Sequence, residues 1–252
     1  MTALDLTTGE LAFAITATFV AGAVRGFTGF ALSALIMATL TLILPPIELL
    51  PVCVLLELLA SALLVRGGFA QADRAMILQL QSGALVGTPL GLALTTILDP
   101  NTSRLFVQSL ILCLALAQLL RLRLPISPHP AATVATGVLS GFVTGIASIG
   151  GMVIALYTLA RQMPPATVRA SLILVIFIGG ALTFLWQAAF GILTSISALR
   201  AAALAIPMVA GVLVGRAFFR PEFEKHYRPF SLSLLIALAA FGLVRALINT
   251  AG

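Results

Sequence analysis

Apolar runs of about 20 residues recur from one end of this chain to the other, and a helix of that length crosses about 30 Å of hydrocarbon. They leave no stretch over for a soluble domain. With 60% hydrophobic and 9% charged residues in a chain of 252, and a mean hydropathy of +1.15, a soluble fold has too little interior to hide these side chains. The chain reads as one all-α polytopic membrane domain over residues 1–252. Its first ten residues carry Asp5 and Glu10 but no Lys or Arg, unlike the basic head of a cleavable signal peptide. The first helix is therefore expected to stay in the mature protein.

A net charge of +6 and a pI near 10.7 would point a soluble chain toward nucleic acid. Here the bases sit singly between apolar runs, where membrane orientation accounts for them, so no nucleic-acid partner is expected. Cys53 and Cys113 lie inside apolar runs without metal-ligand spacing and read as packing residues. Neither a metal nor a cofactor is expected. The partners are the lipid bilayer and a small solute, with homodimerisation left open.

Sliding the sequence along itself uncovers a repeat. An offset of 119 lays Gly22 on Gly141, Gly26 on Gly145, and Pro45-Pro46 on Pro164-Pro165. Further along, an offset of 124 lays Gly87 on Gly211, Gly91 on Gly215, Arg104 on Arg228, Phe106 on Phe230 and Ser109 on Ser233. Two related halves, 10–123 and 131–248, are thus joined by a linker loop, 124–130, within "RLRLPISPHP". The second half is longer, with its extra residues expected around the connection near Trp186–Arg200.

Each half reads as one long apolar segment, 10–44 or 131–160, followed by three ordinary spans. The spans are 47–66, 75–98 and 103–122, then 166–187, 196–219 and 229–248. The long segments exceed one crossing and are interrupted at matching places, "GAVRGFTGF" and "GFVTGIASIGG", where glycines weaken the helix. Charge tests how often they cross. A single crossing each gives six bases on one face against seven on the other, with no orientation bias. Turning back at the break gives ten against three, the three being Arg104, Arg200 and Arg245. The positive-inside rule prefers the second arrangement. It makes the halves an inverted repeat with broken or re-entrant first segments, an outside amino terminus and a cytoplasmic central loop. Secondary transporters share this plan, with substrate held at the breaks.

Arg25 stands in the first break, "AGAVRGFTGFALSAL", with no acid nearby in sequence. A buried guanidinium is tolerated where it meets a cavity or a partner, and its planar fork suits carboxylate or sulfonate oxygens. The alternatives are snorkelling to an interface or pairing internally with Glu57. Thr144, Ser148, Gly150 and Gly151 in the second break offer hydroxyls and bare N–H groups for an oxyanion, or simple close packing. Glu57, mid-helix in "LLELLASALL", is a proton carrier or a structural partner of Arg25. Glu48 is expected to support the start of the same helix. His129 and His226 read as solvated loop residues, and Trp186 and Tyr227 as interfacial aromatics.

"GAVRGFTGFALSALIM", leading to a proline-ended helix, and "GFVTGIASIGGMVIALY", leading to Pro164-Pro165, together resemble the TauE/SafE family of sulfite exporters and 4-toluene sulfonate uptake permeases. The resemblance covers essentially the whole chain. It implies secondary transport of a small anion, sulfite or an organosulfonate such as sulfoacetate, across a bacterial inner membrane. The family's glycine-rich motif falls on Gly22–Phe30 and Gly141–Gly151, while Ala31 and Leu32 stand where glycines often occur. The candidate substrate-binding residues are therefore Arg25, Gly26, Thr28, Gly29, Phe30, Thr144, Ser148, Gly150 and Gly151, with Glu57 for proton coupling. A passive anion channel and a small-carboxylate carrier are the competing readings. No enzyme is expected, because HExxH and GxSxG are absent and Ser148 has no intramembrane histidine to activate it.

The charge split makes a direct prediction. Cysteine labelling from either side of the membrane should find the 121–130 loop cytoplasmic and the amino terminus external; both on one side would refute the inverted arrangement.

Overall fold

Prolines and capping side chains start most of the helices of this chain, a computed structural model that describes residues 4–65, 72–120, 122, 129–161, 163–217 and 224–251, with backbone alone at 165–166, 224–231 and 249–251. Among the described residues there are ten helices and no strands. They are α1 (Thr8–Thr28), α2 (Leu32–Leu40), α3 (Pro46–Leu64), α4 (Arg74–Ile97), α5 (Pro100–Leu119), α6 (Pro130–Ala147), α7 (Gly150–Ala160), α8 (Pro165–Ala189), α9 (Ser195–Ala217) and α10 (Glu224–Ala251). Thr7 and Glu10 form a reciprocal capping box at α1, and Asp73 and Asp99 accept N–H bonds at the starts of α4 and α5. In each of the two proline pairs the first residue is extended and the second opens a helix, α3 or α8, where a missing N–H costs nothing.

Among the described residues seven helices, α1, α3, α4, α5, α6, α8 and α9, have stretches long and apolar enough to cross a membrane. Their outward faces carry large exposed apolar residues such as Leu78, Ile97, Leu185 and Ile206, as contact with lipid requires. The chain is a multi-pass membrane protein. The long segments expected at 10–44 and 131–160 are each two helices, α1 with α2 and α6 with α7, parted at 29–31 and 148–149. The connection expected near Trp186–Arg200 lies between Ala189 and Ser195. Arg66, Arg121, Arg123, Arg220 and most of the linker 124–130 fall outside the described residues.

The matched glycines lie in two helix interfaces. α1 packs along α9, where a Cβ on Gly22 or Gly26 would run into the backbone at Met208 or Val212, and one on Gly211 or Gly215 into that at Phe19 or Ala23. α4 packs along α6 in the same manner, Gly87 and Gly91 against Val138 and Phe142, Gly141 and Gly145 against Ala84 and Thr88. Residue numbers rise together across both interfaces, so both pairs are parallel. Backbones this close gain dispersion contact that no larger residue permits. A third pair, α5 and α10, packs at the flank.

Polar contacts gather the helix starts at two ends of the bundle. At one end Arg200 of α9 donates to the Leu4 carbonyl (3.0 Å) and pairs with Glu48 of α3 (2.6 Å), joining the starts of α1, α3 and α9. Arg200 is thereby buried, although it stands near a span end. Elsewhere, the Asp73 N–H donates to the Ser171 hydroxyl (3.0 Å) beside the start of α8, and Thr133 of α6 meets Tyr157 of α7 (2.6 Å).

A methyl group tests the interface. Gly87→Ala should lower the melting temperature of the detergent-purified protein well beyond the error of the measurement, because its Cβ overlaps the Val138 carbonyl. Gly9→Ala, with open space around it, should be neutral or stabilising by up to about 1 kcal/mol.

Candidate functional site

Both breaks turn on left-handed residues. α1 stops because Gly29 takes φ 80°, its N–H closing on the Arg25 carbonyl at 2.8 Å, and Ala31 follows at φ 78°. A left-handed conformation costs an L-residue about 1–2 kcal/mol, and Ala31 carries that strain at a position where glycine would not. Ser148, the residue that offset 119 lays on Gly29, takes φ 57° and donates its N–H to the Thr144 carbonyl at 2.8 Å. The Ser140 hydroxyl then donates to the Gly150 carbonyl (3.0 Å), and that of Thr144 to the Ser140 carbonyl (2.8 Å). A side chain at Gly150 would collide with both Thr144 and Ser140, so only glycine fits there.

Between the breaks lies a cavity of about 710 Å³, counting the space at its mouth. The first break contributes Ala31, Ser33 and Ala34; the second contributes Thr144 and Ser148 to Met152, with Ser140 one turn earlier. α3 adds Glu57, α4 adds Gln81 and Thr88, and α8 adds Ile176, Gly179, Gly180 and Thr183. The lining is therefore hydroxyls, one amide, glycine backbone and apolar wall. Its one charged side chain among the described residues is Glu57.

That carboxylate faces two ways. Oε1 accepts from the Ser33 N–H (3.2 Å) and hydroxyl (3.0 Å) at the start of α2, while Oε2 stands 3.3 Å from Arg25 Nη2. Arg25 is fully buried behind it, donating from Nη2 to the Ser61 hydroxyl (2.7 Å) and from Nη1 to the Gly29 carbonyl. The pairing with Glu57, one of the alternatives open for Arg25, is thus the geometry observed.

The expected residues divide accordingly. Glu57, Thr144, Ser148, Gly150 and Gly151 line the cavity together. Arg25, Gly26, Thr28, Gly29 and Phe30 stand outside its lining. Gly26 packs on α9 and its carbonyl accepts from Arg169 of α8 (3.0 Å); Gly29 packs on the Arg169 stem. The Thr28 hydroxyl lies within 2.9 Å of the Val24 carbonyl and 2.7 Å of that of Phe30, and Phe30 is core. Glu48 holds Arg200 in the first turn of α3, and His129 caps α6. Trp186 is partly buried, its indole nitrogen without a hydrogen-bond partner. His226 and Tyr227 fall within α10 with side chains outside the described residues. Cys53 is buried and Cys113 exposed.

Ser33, Ser61, Gln81, Thr88, Ser140 and Thr183 were not among the expected residues. Ser61 follows Glu57 by one turn, and Gln81 and Thr88 share a helix face, which are signals the sequence carries. Thr183 precedes the buried Gln187 by one turn, a signal of the same kind, whereas Ser33 has no such neighbour.

The family profile described as "Sulfite exporter TauE/SafE" matches residues 14–242 of the chain. No curated protein matches it. No solved structure matches it either.

A double-mutant cycle measures the buried pair. Arg25→Met or Glu57→Met alone leaves a buried charge without its partner and should cost about 3–5 kcal/mol of stability, whereas the double variant should cost far less than the sum. Additive losses in denaturant titrations would show that the two groups do not interact.

Proposed function

The chain belongs to the TauE/SafE sulfite exporter family, and from that premise we propose that it is a secondary transporter, moving a small anion such as sulfite or sulfoacetate across the bacterial inner membrane by alternating access. The observation that carries this reading is the cavity between the two breaks, which combines neutral donors from both with a single ionisable group. Hydroxyls and exposed N–H groups at a helix start match the oxygens of a sulfur oxyanion without adding a buried charge. Ser148, Gly150 and Gly151 supply them, beside Ser33, and Thr144 and Ser140 join them by turning their hydroxyls from the carbonyls of Ser140 and Gly150 to the anion. Arg25 acts from behind, through Glu57, and Thr28, Gly29 and Phe30 shape the break that brings α2 to the cavity.

The inverted repeat belongs to the same proposal. Arg200 gathers the starts of α1, α3 and α9, and the chain reaches Glu48 after passing through α1 and α2, which supports a first segment that returns to its own side. The contact between Thr133 and Tyr157 supports the same for α6 and α7. α4 begins where α3 ends, runs parallel to α6, and meets α8 near both their starts. On this reading the halves 10–123 and 131–248 run in opposite directions, α1 against α6 and α3 against α8. The basic loops then lie in the cytoplasm and the amino terminus outside.

Glu57 couples transport to protons. It is the titratable group in the lining, and an anion cannot share a low-dielectric cavity with an ionised carboxylate without opposing charge. In proteoliposomes the wild type should exchange labelled against unlabelled sulfite with saturation and accumulate it in a proton gradient. Glu57→Gln should keep the exchange and lose the accumulation. Flux without counterflow would make the protein a channel, and normal accumulation by the variant would leave Glu57 structural.

A further inference from the structure

The cavity wall holds an anion of its own. At the start of α2 the Ser33 N–H and hydroxyl both point at Glu57 Oε1, the arrangement that a bound oxyanion would take at a helix start. Glu57 is 8% exposed, lines the cavity, and accepts no hydrogen bond on Oε2. At the second break, the positions that offset 119 lays on Arg25, Glu57 and Ser61 are Thr144, Ile176 and Gly180. That half therefore has hydroxyl and glycine donors but no carboxylate built in to occupy them.

Resting on the carrier reading above, we infer that the transported anion and the Glu57 carboxylate are alternative ligands of Ser33, and that the exchange takes up one proton for each anion bound. The charge count requires it. Arg25 and Glu57 together are neutral, and a buried anion added to a neutral pair stands uncompensated in a low-dielectric site. A proton from water onto the Glu57 carboxylate ends its claim on the Ser33 donors and leaves the Arg25 guanidinium as counter-charge to the anion. No covalent bond to the substrate forms or breaks, and the total charge of the site is the same before and after.

The groups facing Glu57 allow this. α1 presents Arg25, α2 presents Ser33, and its own helix presents Ser61 and the buried Cys53 one turn away on either side. Arg169 of α8 is held on the Gly26 carbonyl. Among the described residues, the rest of the lining carries no second charged side chain to take the proton or to balance the anion. Ser33 is thus a binding residue that works in both states, holding Glu57 when the site is empty and the substrate when it is full.

Calorimetry with methanesulfonate, which stays ionised throughout, and with sulfite decides the matter. Titrations in two buffers of different ionisation enthalpy should show about one proton taken up per methanesulfonate bound at neutral pH by the wild type, and none by Glu57→Gln. In the Glu57→Gln background, where the competing ligand is a neutral amide, Ser33→Ala should weaken methanesulfonate binding about five- to tenfold, since a hydrogen bond to an ion is about twice as strong as a neutral one. Binding by the wild type without proton uptake overturns the exchange, as does an unchanged affinity in the double variant, and either leaves the carrier reading standing. If Glu57→Gln does not fold, the wild-type proton count alone decides. If neither methanesulfonate nor sulfite binds, the carrier reading falls and the exchange at Ser33 with it.

Discussion

A helix that stops within hydrocarbon leaves N–H and C=O groups where no water can reach them, and each must find a partner inside the protein. Most of the polar chemistry described above answers that demand. The carbonyls ending α1 are taken by Gly29, Arg25 and Arg169, and the Ser140 hydroxyl takes that of Gly150 at the start of α7. The N–H of Ser33 at the start of α2 is taken by Glu57. In the first break, then, the buried ion pair is the price of the interruption: an acid caps the new helix, and a base neutralises the acid.

The two breaks meet the same demand with different chemistry. Position by position under offset 119, Arg25 faces Thr144, Gly29 faces Ser148, Glu57 faces Ile176 and Ser61 faces Gly180. One side is charged and internally paired; the other is neutral, with hydroxyls bonded to backbone carbonyls of α6 and α7. Two breaks that each carried such a pair would bury four charges around one cavity. Dividing the work limits the count to two, close enough to cancel.

The breaks were legible in the sequence because they are written in residues with narrow backbone roles. Gly29 and Gly150 mark the places, and the two proline pairs mark where the next helices begin. Arg25 and Glu57 stood out because charge in an apolar run is rare. Their spacing along the chain did not reveal that the guanidinium turns away from the cavity, since that depends on α3 lying against α1. Ser33, Gln81 and Thr183 were harder still. They stand on three separate helices, α2, α4 and α8, and only packing brings them to one wall. The repeat offsets picked out Gly22, Gly87 and their counterparts, but not that α1 would choose α9 and α4 would choose α6.

That choice of partners bears on how the chain is made. α1 is synthesised first and α9 next to last, yet the bare backbone at Gly22 and Gly26 has its close fit only in α9. α4 likewise waits for α6, across the central loop. The tight interfaces of α1 and α4 are thus made with helices that come later in the chain, and the closest backbone contacts of the fold wait for α6 and α9 to be synthesised.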